Sequence, residues 1–120
     1  MNRVFSMIGM ATKAGKTVSG EFATEKAVKT SKAFLVIVSE EASDNTKKMF
    51  TNMCEFYEVP IAFYGDKDAL GHAIGRQMRA SLAVTDAGLA NGVNVYANKC
   101  TNKGVADSLG LEYTNILELV

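Results

Sequence analysis

The sequence predicts an α/β fold: a three-layer α/β/α sandwich around a central mixed sheet of about four strands. Three observations carry this. Ala33-Phe34-Leu35-Val36-Ile37-Val38 is an unbroken apolar, β-branched run, the pattern of a strand buried on both faces. Ala80 to Thr85 is a second such run. Segments with apolar residues at helical spacing alternate with these runs, which is how layered α/β domains are built.

In chain order, Phe5, Met7, Ile8, Met10 and Ala11 recur at helical spacing, so residues 2–14 read as a helix, ended near Gly15. Lys16-Thr17-Val18 is a short extended piece. Ser19 is a good N-cap type, and a second helix is expected from it to about Ser31. After the Ala33–Val38 strand, Ser43-Asp44-Asn45 caps a helix from about Thr46 to Glu58, with Met49, Phe50, Met53, Cys54 and Tyr57 as its apolar stripe. Pro60 precedes a strand from Ile61 to Tyr64. Asp66 opens a helix reaching about Ile74, and Asp86 caps a short helix reaching Asn91-Gly92. Past Gly92 the composition turns Asn-rich, with Thr101–Leu109 a candidate helix and Leu111–Leu119 a strand or short helix. The expected organisation is one domain over residues 1–93 and a C-terminal extension over 94–120, packed or partly loose.

Composition is ordinary for a globular chain, with 48% hydrophobic and 22% charged residues. No apolar run reaches the roughly 18 residues that would span a bilayer. Met1 to Ala11 is interrupted by Arg3 and reads as a helix of the mature fold, not a leader. Cys54 and Cys100 are far apart without metal-type spacing, so reduced thiols and a cytoplasmic setting are expected. Net charge is zero, but its distribution is uneven. Residues 1–32 hold six basic groups against two acids, a net +4; residues 33–75 hold three against seven, a net −4; the rest balance at four each. A basic N-terminal third on an otherwise acidic chain is either a solvated face or an anion-binding patch.

Gly9-Met10-Ala11-Thr12-Lys13-Ala14-Gly15-Lys16-Thr17 imitates a phosphate-binding P-loop, and Ser81–Asp86 imitates its magnesium-holding strand. The spacing between the glycines is one residue too long, and the segment follows a helix and precedes a strand, the reverse of the order such a loop needs. His72 is the sole histidine and has no visible nucleophile to serve. Asp66 and Asp68 at a helix start are better explained by capping and the helix dipole than by acid–base chemistry. The six methionines read as core filler. No catalytic residue, metal site or cofactor is expected.

The second helix says more. Advanced by about 100° per residue, Ala23, Thr24, Ala27 and Ser31 share a face of small residues suited to packing on a sheet. Phe22, Lys26 and Lys29 fall on the opposite face. An exposed aromatic beside lysines near a helix N-terminus suits RNA: the ring can stack on a splayed base, lysines meet phosphates, and open backbone amides bind anions. The alternative is that Phe22 tucks under Val18 or the first helix.

Several ordered blocks resemble the kink-turn-binding ribosomal proteins (the L-seven-Ae and L-thirty-e type), most closely their small bacterial members. They are Ile8–Lys16, Gly20 with Lys26-Ala27-Val28, Lys32–Ile37, Asn45–Lys48, Cys54–Pro60 and Leu70-Gly71-His72-Ala73-Ile74-Gly75, together spanning residues 1–93. The resemblance implies an α/β/α sandwich that binds sharply bent RNA stabilised by sheared G·A pairs. It implies that the second helix supplies Gly, Asn, Glu and Lys to those pairs. Gly20 and Lys26 match. Phe22 and Ala23 stand at the Asn and Glu positions and cannot hydrogen-bond a guanine edge, and Glu21, one residue away, offers a partial substitute. The family's second RNA-facing loop aligns with Arg76-Gln77-Met78-Arg79.

Together these readings give a non-enzymatic RNA-binding module, ribosome-associated in the family's manner, with structured RNA as partner and ribosomal RNA among the candidates. The residues expected to carry it are Lys13, Lys16, Gly20, Glu21, Phe22, Lys26, Arg76 and Arg79. The rival is the same fold used for a protein partner or self-association, with Phe22 as an interface anchor.

Overall fold

The computed structural model describes residues 3–94. The tail elements expected at Thr101–Leu109 and Leu111–Leu119, and Cys100, lie outside them. The elements run α1 (Arg3–Lys13), β1 (Thr17–Ser19), α2 (Glu21–Lys29), β2 (Leu35–Val38), α3 (Asp44–Tyr57), β3 (Ile61–Phe63), α4 (Lys67–Ala73) and β4 (Ser81–Val84). Residues 87–94 form a further helix, α5. The sheet order is β1-β4-β2-β3. β4 pairs antiparallel with both β1 and β2, and β2 pairs parallel with β3. The expected mixed four-stranded sheet and its three layers are present.

Both central strands are fully buried, and alternate residues serve opposite cores. Leu35, Ile37, Leu82 and Val84 pack with Val4, Ile8 and Ala11 of α1, Leu70 of α4, and Ala90 and Val93 of α5. Val36, Val38 and Ala83 pack with Ala27 and Val28 of α2 and Phe50 and Cys54 of α3. On that second face α2 lies over β1 and β4, and α3 over β2 and β3. The parallel β2–β3 pair requires a crossover, which α3 supplies.

Capping follows the sequence at three helices. Ser43 Oγ accepts the Thr46 amide, Asp66 Oδ1 the Ala69 amide, and Asp86 Oδ2 the Leu89 amide. Asp86 is thereby a helix cap, and the P-loop imitation dissolves into α1, a turn at Gly15 and β1. Three local expectations are corrected. Ser31 is exposed, not packed on the sheet, because α2 ends at Lys29 and Ser31 turns left-handed at φ 61°. Phe34 is 46% exposed: its amide still donates to Val84 O at 2.9 Å, but β2 begins one residue later, at Leu35. The methionines divide: Met7, Met49 and Met53 are half-buried and pack against the two cores, whereas Met10 on α1 and Met78 in a loop are exposed. Cys54 is a free buried thiol, its pKa pushed up to about 11 by burial.

Thr24 is fully buried between α2 and the sheet, as its face position predicted, yet its Oγ1 has no hydrogen-bond partner among the described residues. A buried hydroxyl without a partner costs on the order of 1–3 kcal/mol. Thr24→Val keeps the shape and removes the hydroxyl. It is expected to raise stability by about 1 kcal/mol, read as a higher urea midpoint with an unchanged slope.

Candidate nucleic-acid interface

The interface is assembled where α2 begins. Gly20 is its N-cap, at φ 90° and ψ 158°, and no side chain caps the helix. This backbone region is open essentially to glycine alone. Ser19, expected as the cap, instead belongs to β1, and its Oγ accepts from Arg79 Nε at 3.2 Å. The Gly20 amide is also committed, donating to Ser81 O at 3.0 Å. The first amide bonded within the helix is Thr24, to Gly20 O. The amides of Glu21, Phe22 and Ala23 are therefore left open, at the positive end of the helix dipole.

Facing this terminus is the loop of residues 75–80, carrying Arg76 and Arg79. Its seat is α4. Arg76 donates its amide to Gly71 O at 2.8 Å, and Arg79 donates its amide to Lys67 O at 3.1 Å. The loop lies so close to α4 that a Cβ on Gly71 would stand 2.0 Å from the Gln77 carbonyl oxygen. The Arg79 guanidinium folds over its own loop, with Nη1 donating to Met78 O at 2.9 Å. Arg76 is exposed and has no side-chain partner among the described residues. Between loop and helix terminus runs a groove of about 490 Å³, floored by Ile74 and Val18, with Thr12, Thr17, Ser19, Ala23, Arg76 and Arg79 along it.

The outer face of α2 continues the surface. Phe22 is 79% exposed, which removes the alternative that it tucks under Val18 or α1. Lys26 lies one turn further on, exposed and unpaired among the described residues. Lys29 is different: it donates to Glu25 at 2.7 Å, and that hydrogen bond and charge hold its ammonium pKa above the ordinary value. Glu21, in the first turn, is exposed.

The eight residues singled out from sequence do not form one cluster. Arg76 and Arg79 line the groove beside the α2 terminus, where Gly20 is the N-cap and Glu21 the first helical residue; Phe22 and Lys26 lie on the outer face of α2 and line other depressions. Lys16 lies at the other end of β1, where its carbonyl accepts the Thr85 amide. At about 3.3 Å per residue, the strand separates it from Gly20 by roughly 13 Å. Lys13 lines a different groove between α1 and α4, with Met10 and His72. Sequence reasoning missed Thr12, Thr17 and Ile74, which line the groove beside the α2 terminus. It also missed the role of Gly71, whose only sequence signal was its place in the Leu70–Gly75 block.

Among known proteins, residues 2–94 match the model of the ribosomal protein L7Ae/L30e/S12e/Gadd45 family. The chain is 41% identical over 87 residues to the RNA-binding protein YlxQ of Bacillus subtilis (strain 168), spanning 72% of this chain and 87% of that protein. It is 33% identical over 88 residues to the RNA-binding protein YlxQ of Enterococcus faecium, spanning 73% and 84%. Among solved structures, a protein of unknown function from Bacillus halodurans superposes with a TM-score of 0.79 at 32% identity, over 82% of this chain and 99% of that one. The Giardia lamblia 15.5kD RNA binding protein superposes with a TM-score of 0.68 at 25% identity, over 79% and 82%.

Two glycines hold this geometry for different reasons, and two substitutions separate them. Gly20→Ala meets open space but a forbidden backbone, so it is expected to cost about 1–3 kcal/mol of stability. Gly71→Ala meets the Gln77 carbonyl. It is expected to lower stability by about 1–3 kcal/mol and to shift the amide resonances of residues 75–80, leaving those of α2 and α3 in place.

Proposed function

Because this chain belongs to the ribosomal protein L7Ae/L30e/S12e/Gadd45 family, we propose that it binds structured, sharply bent RNA in the cytoplasm, in association with the ribosome. The observation that carries the proposal is the open N-terminus of α2 facing Arg76 and Arg79 across one groove. A bent RNA presents two backbone segments close together, and this arrangement offers anion contacts on both sides of such a bend. The three open amides and Lys26 meet one backbone segment, and Arg76 and Arg79 the other. Gly20 lets the RNA approach the main chain. Lys13 and Lys16, set apart from the groove, serve only phosphates further along the duplex.

Base readout is altered from the family pattern. Phe22 and Ala23 bring no polar atom to the sheared pairs, so edge contacts fall to Lys26, to Glu21 and to the backbone amides. The reading is a binding module, in keeping with the names of the Bacillus and Enterococcus relatives. No helix among the described residues is long and apolar enough to cross a membrane.

A second reading draws on the exposed rings of Phe22 and Phe56, each 79% accessible. Here the fold serves a protein partner or a second copy, with weakened RNA binding. Salt separates the two, because phosphate contacts release counterions and an apolar interface does not.

The test is binding of the purified protein to a labelled kink-turn RNA and to a straight duplex. Tighter binding to the bent RNA is expected. If about four phosphates are met, affinity should fall roughly a hundred-fold between about 50 and 200 mM salt. Lys26→Glu, at an exposed position, should fold normally and lose about ten-fold or more in affinity. Equal weak binding to both RNAs, or an unchanged Lys26→Glu affinity, counts against this face; salt-insensitive self-association supports the second reading.

A further inference from the structure

Of the four exposed rings among the described residues, Phe22 is on α2 and the other three stand at one end of the sheet. α3 is the crossover between parallel strands, so it runs back along β2 and its last turn returns to where β2 begins. That turn carries Phe56 and Tyr57, packed edge to face with ring centroids 4.9 Å apart at 76°. Phe34 carries the β2–β4 hydrogen bonding one residue further, through its amide to Val84 O. Alternation along the strand turns its ring to the side of Val36, under α2 and α3, and away from that of Leu35. Carried back two residues, the parallel register sets Phe34 beside Val59, the residue after the cap of α3.

This aromatic end is also acidic. Glu55 and Glu58 are exposed, and neither side chain has a partner among the described residues. They occupy the last turn and the cap of α3, whose last turn has no basic residue. A helix C-terminus is the negative end of the dipole and favours cations, so both carboxylates stand where a positive charge is wanted. The chain's own cations do not meet that want. Lys29, near Tyr57, is held by Glu25. Lys32 lies toward Val18 of β1, and β1 is two strands, roughly 10 Å, from β2.

We propose that this end of α3 docks a protein segment bearing arginine. The guanidinium lies flat on the open face of Phe56 and donates to the carboxylates of Glu55 and Glu58. The charge excludes phosphate, and therefore RNA. It also excludes a wholly apolar partner, which would bury two carboxylates without a counter-charge. Two copies meeting symmetrically through this end would set the same carboxylates against each other. Arginine fits better than lysine because a planar, weakly hydrated cation stacks and pairs at once. Phe34 stands four residues along the strand from Val38, which pairs with Ser81, so the end is roughly 13 Å from the anchor of the α2 terminus. The docking does not depend on RNA binding. Where both occur, the chain joins a bent RNA to a protein and does not exchange one for the other.

The test titrates the full chain, at low salt, with a short peptide of alternating arginine and glycine, and follows the amide resonances. Lysine and citrulline versions serve as controls. Saturable shifts are expected at Phe34 and at residues 55–59 with the arginine peptide, weaker ones with lysine and none with citrulline. Phe56 and both carboxylates are exposed, so their variants should remain folded. Phe56→Ala, and Glu55→Gln with Glu58→Gln, should each weaken the arginine peptide roughly three-fold or more. Phe56→Trp should bind at least as well as wild type, and Glu40→Gln, past the other end of β2, should bind as wild type. Kink-turn RNA should bind wild type and Phe56→Ala alike.

If the shifts spread equally to Glu40, Asp44 and Asp68, the attraction is general and the proposal falls. It falls as well if Phe56→Ala leaves the arginine peptide unaffected, or if the lysine peptide binds as tightly as the arginine one. Loss of RNA affinity in Phe56→Ala would put this end on the RNA side, and self-association abolished by Phe56→Ala in sedimentation would make it a contact between copies; either result overturns the proposal.

Discussion

One hydrogen bond governs the architecture of the candidate interface: the Gly20 amide donating to the Ser81 carbonyl at 3.0 Å. It joins the residue that starts α2 to the residue that starts β4. Because β4 is paired on both sides, antiparallel to β1 and to β2, Ser81 is fixed within the sheet. The bond transmits that fixity to the helix terminus. The loop carrying Arg76 and Arg79 ends immediately before Ser81, so helix terminus and loop share one anchor. Arg79 Nε on Ser19 Oγ is a second tie between the same two segments. Gly20 supplies the left-handed backbone that aims its amide at Ser81 while α2 departs in a new direction. Its cost is a helix with no side-chain cap, so none of the first three amides, which no helix can satisfy internally, is taken by a capping side chain.

Zero net charge is compatible with a basic surface here, because several of the carboxylates sit at local partners away from Lys32 and Arg76. Glu41 accepts the Lys67 amide, Asp66 and Asp86 cap helices, and Glu25 holds Lys29. These carboxylates answer local donors and helix dipoles. Lys26, Lys32 and Arg76 answer no carboxylate among the described residues. At about 0.1 M salt, exposed charges are screened beyond roughly 10 Å, so a neutral total is compatible with a locally positive surface. What matters for an anion is which cations lack partners, and composition cannot supply that.

The fold was legible because its signals are local and strong. Leu35–Val38 and Ser81–Val84 are apolar on both faces, and only a central strand of a layered sheet needs that. Ser43, Asp66 and Asp86 cap helices with the atoms their types suggest. The failures share a physical cause: they occur where tertiary contact overrides local preference. Ser19 has the right side chain for a cap, but β1 pairing and Arg79 take it. Phe34 has the composition of a strand residue, but the strand starts after it. Lys13 and Lys16 are near Gly20 in sequence, but α1 and β1 carry them to other parts of the surface. Gly71 was invisible as a contact residue, because its role depends on a loop folding back onto α4.

Side chains and main chain contribute separably to this surface, so on the proposed reading it can depart from the family pattern and still bind. The open amides, the Gly20 backbone and the seat of the 75–80 loop depend on neither residue 22 nor residue 23. Replacing polar readers by Phe22 and Ala23 leaves them intact. On the proposed reading the exchange is between two terms of similar size. A good bidentate contact to a base edge is worth about 1–3 kcal/mol of discrimination, and stacking one base on an aromatic ring about 1–3 kcal/mol of affinity. The first is specific to one base and the second tolerates all four. A chain that trades one for the other keeps its grip on bent RNA and relaxes its choice of sequence. The exposure of Phe22, with Lys26 one turn behind it, is the structural form that such a trade would take.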